Sequence, residues 1–254
     1  LIASAILLLA FIVIETRVKQ PLVPLNRLAN RTVGVANVVA FLLLASFFSL
    51  IFIGTLFMQQ VLGYTALEAG LAWLTVSIPA FIAAALVGSV FVERIGVRPI
   101  LVTGLAILTI ALFGLSQADA DSSFATGLLP WFILSGLGIG MCFPSAQVAA
   151  FHGFTEKDSG LASGLVNTSQ EVGGAVGTAV LATLAVGVTE DAIADGTGQV
   201  DALAEGFTQA FFVGAFIAIA GLLVALTLKS SPRTEPVEEN TAAEQVGEEV
   251  APEA

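Results

Sequence analysis

Charge is scarce in this chain of 254 residues. Asp, Glu, Lys and Arg make up 11% of it, where a soluble domain carries about 25%, so the groups that keep a protein surface wet are missing. Basic residues are rarer still: nine Lys and Arg stand against twenty Asp and Glu, a net charge of −11. That balance excludes the basic patch a nucleic-acid partner needs. The single cysteine, Cys142, excludes an internal disulfide and leaves the redox compartment unread. No His, Cys or carboxylate cluster has metal-ligand spacing, and no nucleophile–base pairing is visible, so neither a metal, a cofactor nor an enzyme activity is expected. What is present instead is apolar. Hydrophobic residues make up 56% of the chain, and its mean hydropathy is +0.94. The composition points to a lipid bilayer as the solvent.

The distribution of that apolar matter is more telling than its amount. A spanning helix needs about 20 predominantly apolar residues to cross about 30 Å of hydrocarbon. Six stretches meet the requirement: residues 34–58, 67–92, 98–117, 128–151, 162–187 and 207–228. Leu1 to Ile14 is apolar but too short to span, and it has no initiator Met, basic leader or small-residue cleavage site. It is expected to be the end of a helix that begins upstream. Barrel strands alternate apolar and polar residues, whereas runs such as Val38–Ala45 do not. An all-α membrane protein follows, divided into 1–14 (end of a truncated helix), 15–33 (cytoplasmic loop), 34–228 (six-helix bundle) and 229–254 (tail). The tail holds seven Glu and three Pro and no aromatic residue, so it is expected to be a disordered, solvated cytoplasmic segment.

Basic residues favour the cytoplasmic side of a membrane, and here all nine fall on one side under strict alternation. Arg17, Lys19, Arg27 and Arg31 precede the first full span, Arg94 and Arg98 follow the second, Lys157 follows the fourth, and Lys229 and Arg233 follow the sixth. The opposite connections hold Glu68, then Asp119 and Asp121, then Glu190, Asp191, Asp195, Asp201 and Glu205, with no basic residue. This places the carboxy terminus in the cytoplasm of a protein in the cell (inner or plasma) membrane. Tyr64, Trp73 and Trp131 fall near outer span ends, as interfacial aromatics do. His152, at the cytoplasmic end of its span, reads as plain surface.

Within the spans, Glu171 is the residue that stands out. A carboxylate near mid-span costs at least ~2.5–3.5 kcal/mol and should face a bundle interior or cavity. At helical spacing Gly160, Gly164, Asn167, Glu171, Gly174 and Thr178 share one small, polar stripe. Two roles stay open: Glu171 as a protonation or cation-binding site, or as a structural hydrogen bonder. Asn37, Gln59, Gln60, Gln147 and Gln170 are further polar positions, with Asn167, Gln170, Asn37 and Gln147 set beside Glu171 as proton or substrate candidates. Gly136 and Gly140, Gly160 and Gly164, and Gly173 and Gly177 each sit four apart, with Gly174 beside the last pair, a spacing that lets membrane helices approach closely. Gly136–Gly140 is not a dinucleotide loop, since no strand precedes it. Pro79 and Pro144 lie inside spans and are expected to kink them.

Three stretches together resemble the major facilitator superfamily, and within it the fourteen-helix drug:proton antiporters. These are Glu15–Leu25 with Ala36-Asn37, Gln60–Leu71, and Gly160–Gly177. The resemblance implies a six-helix carboxy-terminal bundle plus the end of one preceding helix. Its two three-helix units would be related by an inverted repeat. The first and fourth full helices would then line a central cavity, bringing Asn37 and Gln147 toward substrate. The second and fifth would face an amino-terminal half not contained here. It also implies a cytoplasmic loop motif at Ser89–Arg98, with Glu93, Arg94, Gly96 and Arg98 as its key members and Ser89 where relatives carry Gly. Relatives often carry an uncharged pair at Gln170-Glu171, so no role for Glu171 follows from the likeness. The implied function is proton-coupled efflux of drugs or amphipathic metabolites by alternating access. Its partners would be the amino-terminal half, the bilayer, a small-molecule substrate and protons. A dedicated metabolite exporter or facilitator, or a non-transporting scaffold or split-gene product, are the alternatives. The topology has a direct check: accessibility tags placed after Leu62 and after Gly96 are expected to report opposite aqueous compartments. Labelling of both from one side would dismiss the threading.

Overall fold

The computed structural model describes residues 6, 9, 10, 13, 14, 18, 31–87, 95–151 and 159–228. The expected loop-motif residues Glu93 and Arg94, residues 15–30 apart from Val18, His152 and the tail from 229 lie outside the described residues. Among the described residues all regular structure is helical. Seven α-helices in chain order make six spans. They are α1 (Arg31–Leu56), α2 (Ala66–Ala72) with α3 (Leu74–Leu86), α4 (Val97–Leu115), α5 (Leu129–Phe151), α6 (Ser159–Ala194) and α7 (Gln199–Ala225). Each span is long and apolar enough to cross a membrane. Helix is the expected solution, because lipid offers no partner for a free backbone N–H or C=O. Many hydroxyls inside the spans obey the same rule, although buried Ser145 Oγ on α5 has no partner among the described residues. Ser46, Ser49, Thr109 and Thr183 each donate to the carbonyl four residues back, so their own helix satisfies them.

The spans pack in a pattern that repeats with reversed order. Helix α1 lies against α6 as α5 lies against α3, and α4 lies against α5 as α7 lies against α1. The α4–α7 and α1–α5 contacts map onto themselves. These pairs match two related three-span units, except that the close α6–α7 packing has no equally close α3–α4 counterpart among the described residues. A core of large side chains runs between them: Leu43, Leu50 and Phe57 from the first span, Leu101, Leu105 and Leu108 from α4, and Phe132 from α5 are fully buried. The least buried spans are the second, with 22% of its most apolar 18-residue window buried, and the fifth, with 33%, against 56% for the first and third.

Glycine sets the closest crossings. A Cβ on Gly136 or Gly140 of α5 would strike the backbone of Val76 or Ala80 on α3. One on Gly173 or Gly177 of α6 would strike the backbone of Phe41 or Ala45 on α1. Lipid supplies no hydrophobic drive for helix association, so this backbone proximity, with the dispersion it allows, holds the bundle. In the repeat's terms α5 corresponds to α1 and α3 to α6, so the two crossings are equivalent while their glycines lie on opposite partners. Gly160 and Gly164 differ from the expected seam: among the described residues no atom lies within 4 Å of where their Cβ would be. They sit on the open face of α6.

Span boundaries also depart from the hydropathy. Helix α6 has 36 residues, about 54 Å of rise against ~30 Å of hydrocarbon, and continues past the expected end at 187 through exposed Glu190 and Asp191. Helix α7 starts at Gln199, eight residues before the expected 207. Gly206 lets α7 pack on Thr189 and Ala185, so the two helices stay paired beyond the apolar zone. The stop is chemical. Gly196, at φ 93°, closes α6 with Thr197 N–H donating to Ala192 O and Gly196 N–H to Ile193 O, both 3.0 Å, a Schellman arrangement. The second span is in two pieces because its chain turns at Trp73. Its start is a capping box in which Thr65 N–H donates to Glu68 Oε2 at 2.8 Å and Glu68 N–H to Thr65 Oγ1 at 3.3 Å. Glu68 is therefore a helix cap.

Trp73 and Trp131 pack inward. Trp73 stacks on Phe132 at 4.8 Å, and its indole Nε1 donates to Thr55 Oγ1 at 3.0 Å, while Trp131 covers Gly114. Both fill the gaps that a neighbouring glycine leaves between spans. The glycine seams predict that Gly140→Ala destabilises the purified protein by about 1–3 kcal/mol through overpacking against backbone. Gly160→Ala is expected to stay within about 0.5 kcal/mol of the parent. Unfolding in mixed detergent micelles measures both, and equal losses would contradict the assigned seams.

Candidate functional site

The site is built on the α1–α6 crossing. Gly173 and Gly177 bring the two backbones together, and this fixes what stands on either side of the seam. On the inner side, Ser169 Oγ donates to Asn37 Oδ1 at 2.9 Å, and Asn37 Nδ2 donates to Val33 O at 2.9 Å. Asn37 is thus committed to a bond between helices and lines neither of the cavities described below. On the open side, Phe48 and Phe52, one turn apart on α1, face the stripe of α6 that holds Glu171, Gly174 and Thr178.

Two adjoining cavities form there. One, of about 500 Å³, is lined by Phe48 and Phe52 and by Glu171, Gly174, Ala175, Thr178, Ala179 and Ala182 of α6. The other, of about 450 Å³, is lined by Phe48, Ile51, Phe52, Thr55, Leu56 and Thr178. Phe48, Phe52 and Thr178 belong to both. Both volumes lie in the ~300–1,000 Å³ range of small-molecule sites. Glu171 is the one ionisable residue among the lining residues, and it makes no hydrogen bond or ion pair among the described residues. The combined groove is an apolar trough with a single carboxylate at one end.

The other sequence candidates are dispersed. Asn167 is exposed on the face of Glu171, one turn nearer the start of α6, with its Nδ2 3.4 Å from Ser163 Oγ. Gln170 sits on the buried face of α6, 4% exposed, and its Nε2 has no hydrogen-bond partner among the described residues. Its position, unlike that of Glu171, opens on neither cavity. Gln147 is half-buried on α5 and lines neither cavity. Gln59 and Gln60 are exposed in a π-helical segment, Phe57–Val61, that prolongs α1. Gly96, at φ 85°, caps α4, and Arg98 is half-exposed in its first turn. Among the described residues no group of three His, Cys, Asp or Glu is placed to hold a metal ion.

Sequence reasoning missed Phe48 and Phe52. A signal existed in their spacing of four, opposite a helix face of Gly, Ala and Thr, but the chain has eighteen phenylalanines, most of them in spans, and they look alike until a partner helix is placed. Sequence comparison agrees with the fold. The family described as Major Facilitator Superfamily matches residues 35–252. The puromycin resistance protein of Streptomyces alboniger is 31% identical over 249 residues, covering 96% of this chain and 49% of that protein. The lincomycin resistance protein of Streptomyces lincolnensis is 32% identical over 72% of this chain and 38% of its own length. The cephamycin export protein of Amycolatopsis lactamdurans is 30% identical over 87% and 43%. The chain spans about half the length of these curated relatives, or less. Six apolar spans packed as one bundle, and a family match that runs through all six, lead to one conclusion: the chain belongs to the Major Facilitator Superfamily.

Proposed function

We propose that the intact protein exports amphipathic compounds, drugs or metabolites, across the cell membrane in exchange for protons, and that this chain is its carboxy-terminal half. The observation that carries this reading is the placement of Glu171, an unpaired carboxylate mid-span, opening on an otherwise apolar groove. A charge at that depth is costly unless it serves a cavity, a partner or a proton path. Exchange follows from one site with two claimants. Ionised Glu171 attracts a cationic or hydrogen-bond-donating head group. Protonated Glu171 is neutral and releases it.

The second and fifth spans, least buried here, face the amino-terminal half, against which this bundle rocks about the midplane groove. The carboxy terminus lies in the cytoplasm, in keeping with the one-sided basic residues. A narrower version, export of one dedicated metabolite, is favoured by the three relatives above, whose names each carry one compound: puromycin, lincomycin and cephamycin. The test is Glu171→Gln in the full-length protein reconstituted in vesicles. Proton-driven export is expected to fall at least about tenfold, equivalent to ~1.4 kcal/mol, and to lose its pH dependence. Unaltered export with an unaltered pH profile would remove Glu171 from the coupling.

A further inference from the structure

We propose that the crevice where α4 begins, between α3, α4 and α5, holds one anionic glycerophospholipid. Its phosphate sits on Arg98 and the first turn of α4, an acyl chain fills the crevice, and an ester carbonyl accepts from Ser145. The site is independent of the export reading and of the groove on α6. The crevice, of about 200 Å³, is lined by Val87, Ile95, Pro99, Ile100, Thr103 and Met141. Val87 and Ile100 are buried, while Ile95, Pro99 and Thr103 are exposed, so it opens to the outside of the bundle.

The mouth of the crevice favours an anion. Gly96 caps α4 without a side chain, and the first turn holds no acidic residue. The N–H groups of Val97 and Arg98 find no carbonyl within their own helix, and the helix dipole adds partial positive charge. Arg98 supplies a full charge. It is half-exposed and makes no hydrogen bond or ion pair among the described residues. In the connection before α4, Glu93 and Arg94 cancel in charge, so Arg98 sets the sign.

Ser145 is a separate sign of a ligand. Its Oγ is fully buried and has no hydrogen-bond partner among the described residues, a costly state for a hydroxyl. Gly138 lies against Gly104, and Cys142 against Leu101, so the antiparallel register sets Ser145 opposite Arg98. It stands one turn from Met141, which lines the crevice, on the same face of α5. The occupant must therefore carry an anion, an oxygen acceptor close to it, and a long apolar chain. A glycerophospholipid has all three. A fatty acid lacks the acceptor, and free phosphate lacks the chain. Basic pockets between membrane helices take anionic lipid headgroups in this way.

The experiment takes delipidated full-length protein in detergent, with phosphatidylglycerol and phosphatidylcholine of the same acyl chains as probes. Native mass spectrometry reads retained lipid, and thermal unfolding reads stability. The parent is expected to hold one phosphatidylglycerol about fivefold more tightly than phosphatidylcholine, the weight of one basic residue near a lipid surface. Arg98→Gln is expected to abolish that preference, whereas Arg31→Gln, at the start of α1, keeps it. Thr103→Trp, which fills the crevice, lowers affinity for both lipids about tenfold, the effect of displacing about two methylenes. Ser145→Ala removes an orphan donor, so without lipid it unfolds no earlier than the parent. It loses about threefold in affinity for the ester lipid and nothing for its ether-linked analogue. Equal losses in Arg98→Gln and Arg31→Gln overturn the site in favour of general surface charge. Should Thr103→Trp fail to accumulate, Ser145→Ala decides, and parent-like affinity for the ester lipid overturns the site. Displacement of the lipid by glycerol phosphate at equal concentration overturns it too, as does a parent that retains neither lipid.

Discussion

Backbone against backbone at two glycine seams is the contact on which the rest of this bundle depends. In water a helix pair is held by the apolar area it hides, but lipid tails are as apolar as leucine, so burial confers little in the membrane. What remains is dispersion at short range, which falls away within an ångström of separation. Gly136 and Gly140 against α3, and Gly173 and Gly177 against α1, bring main chains close enough to use it. Once those crossings exist, other placements follow. Phe48 finds a flat neighbour in Gly174, Ser169 meets Asn37, and Glu171 is turned to the open side of its helix.

Most polar groups in the spans fall into two populations with different physics. Hydroxyls of Ser46, Ser49, Thr109 and Thr183 are absorbed by the carbonyl a turn behind them and do nothing visible to the outside. Asn37, Ser169, Thr55 and Trp73 are absorbed across helices, which ties α1 to α6 at one end and to the second span at the other. Glu171 belongs to neither population. Gln170, its neighbour in sequence, keeps an unpartnered Nε2 on the buried face, so one dipeptide presents a charge to the groove and an amide to the interior.

Much of the fold was legible because lipid imposes a coarse rule, and coarse rules survive in sequence. The six spans and the alternation of charge needed only hydropathy and nine basic residues. Their limits were less legible, since hydropathy marks where oil ends and not where hydrogen bonding ends. Hence α6 runs on to Ala194 and α7 begins at Gln199. The glycine pairs were visible as spacings, but spacing alone does not say which pair has a neighbour: 136/140 and 173/177 do, and 160/164 do not among the described residues. Glu171 was legible because it is costly. Phe48 was not, because its meaning comes from a glycine 126 positions away in the chain, brought to it by packing. The tryptophans at outer span ends looked like anchors for the headgroup layer, but the space over Gly54 and Gly114 drew them inward.

The interchange of the glycines between the two equivalent crossings has a consequence for mechanics. At one crossing the smooth rail lies on α5 and the bulkier rider is α3, and at the other the smooth rail is α6 and the rider α1. Two bearings of the same shape but opposite build need not resist sliding equally in the same direction. A bundle whose outline is twofold can therefore be biased in how it yields.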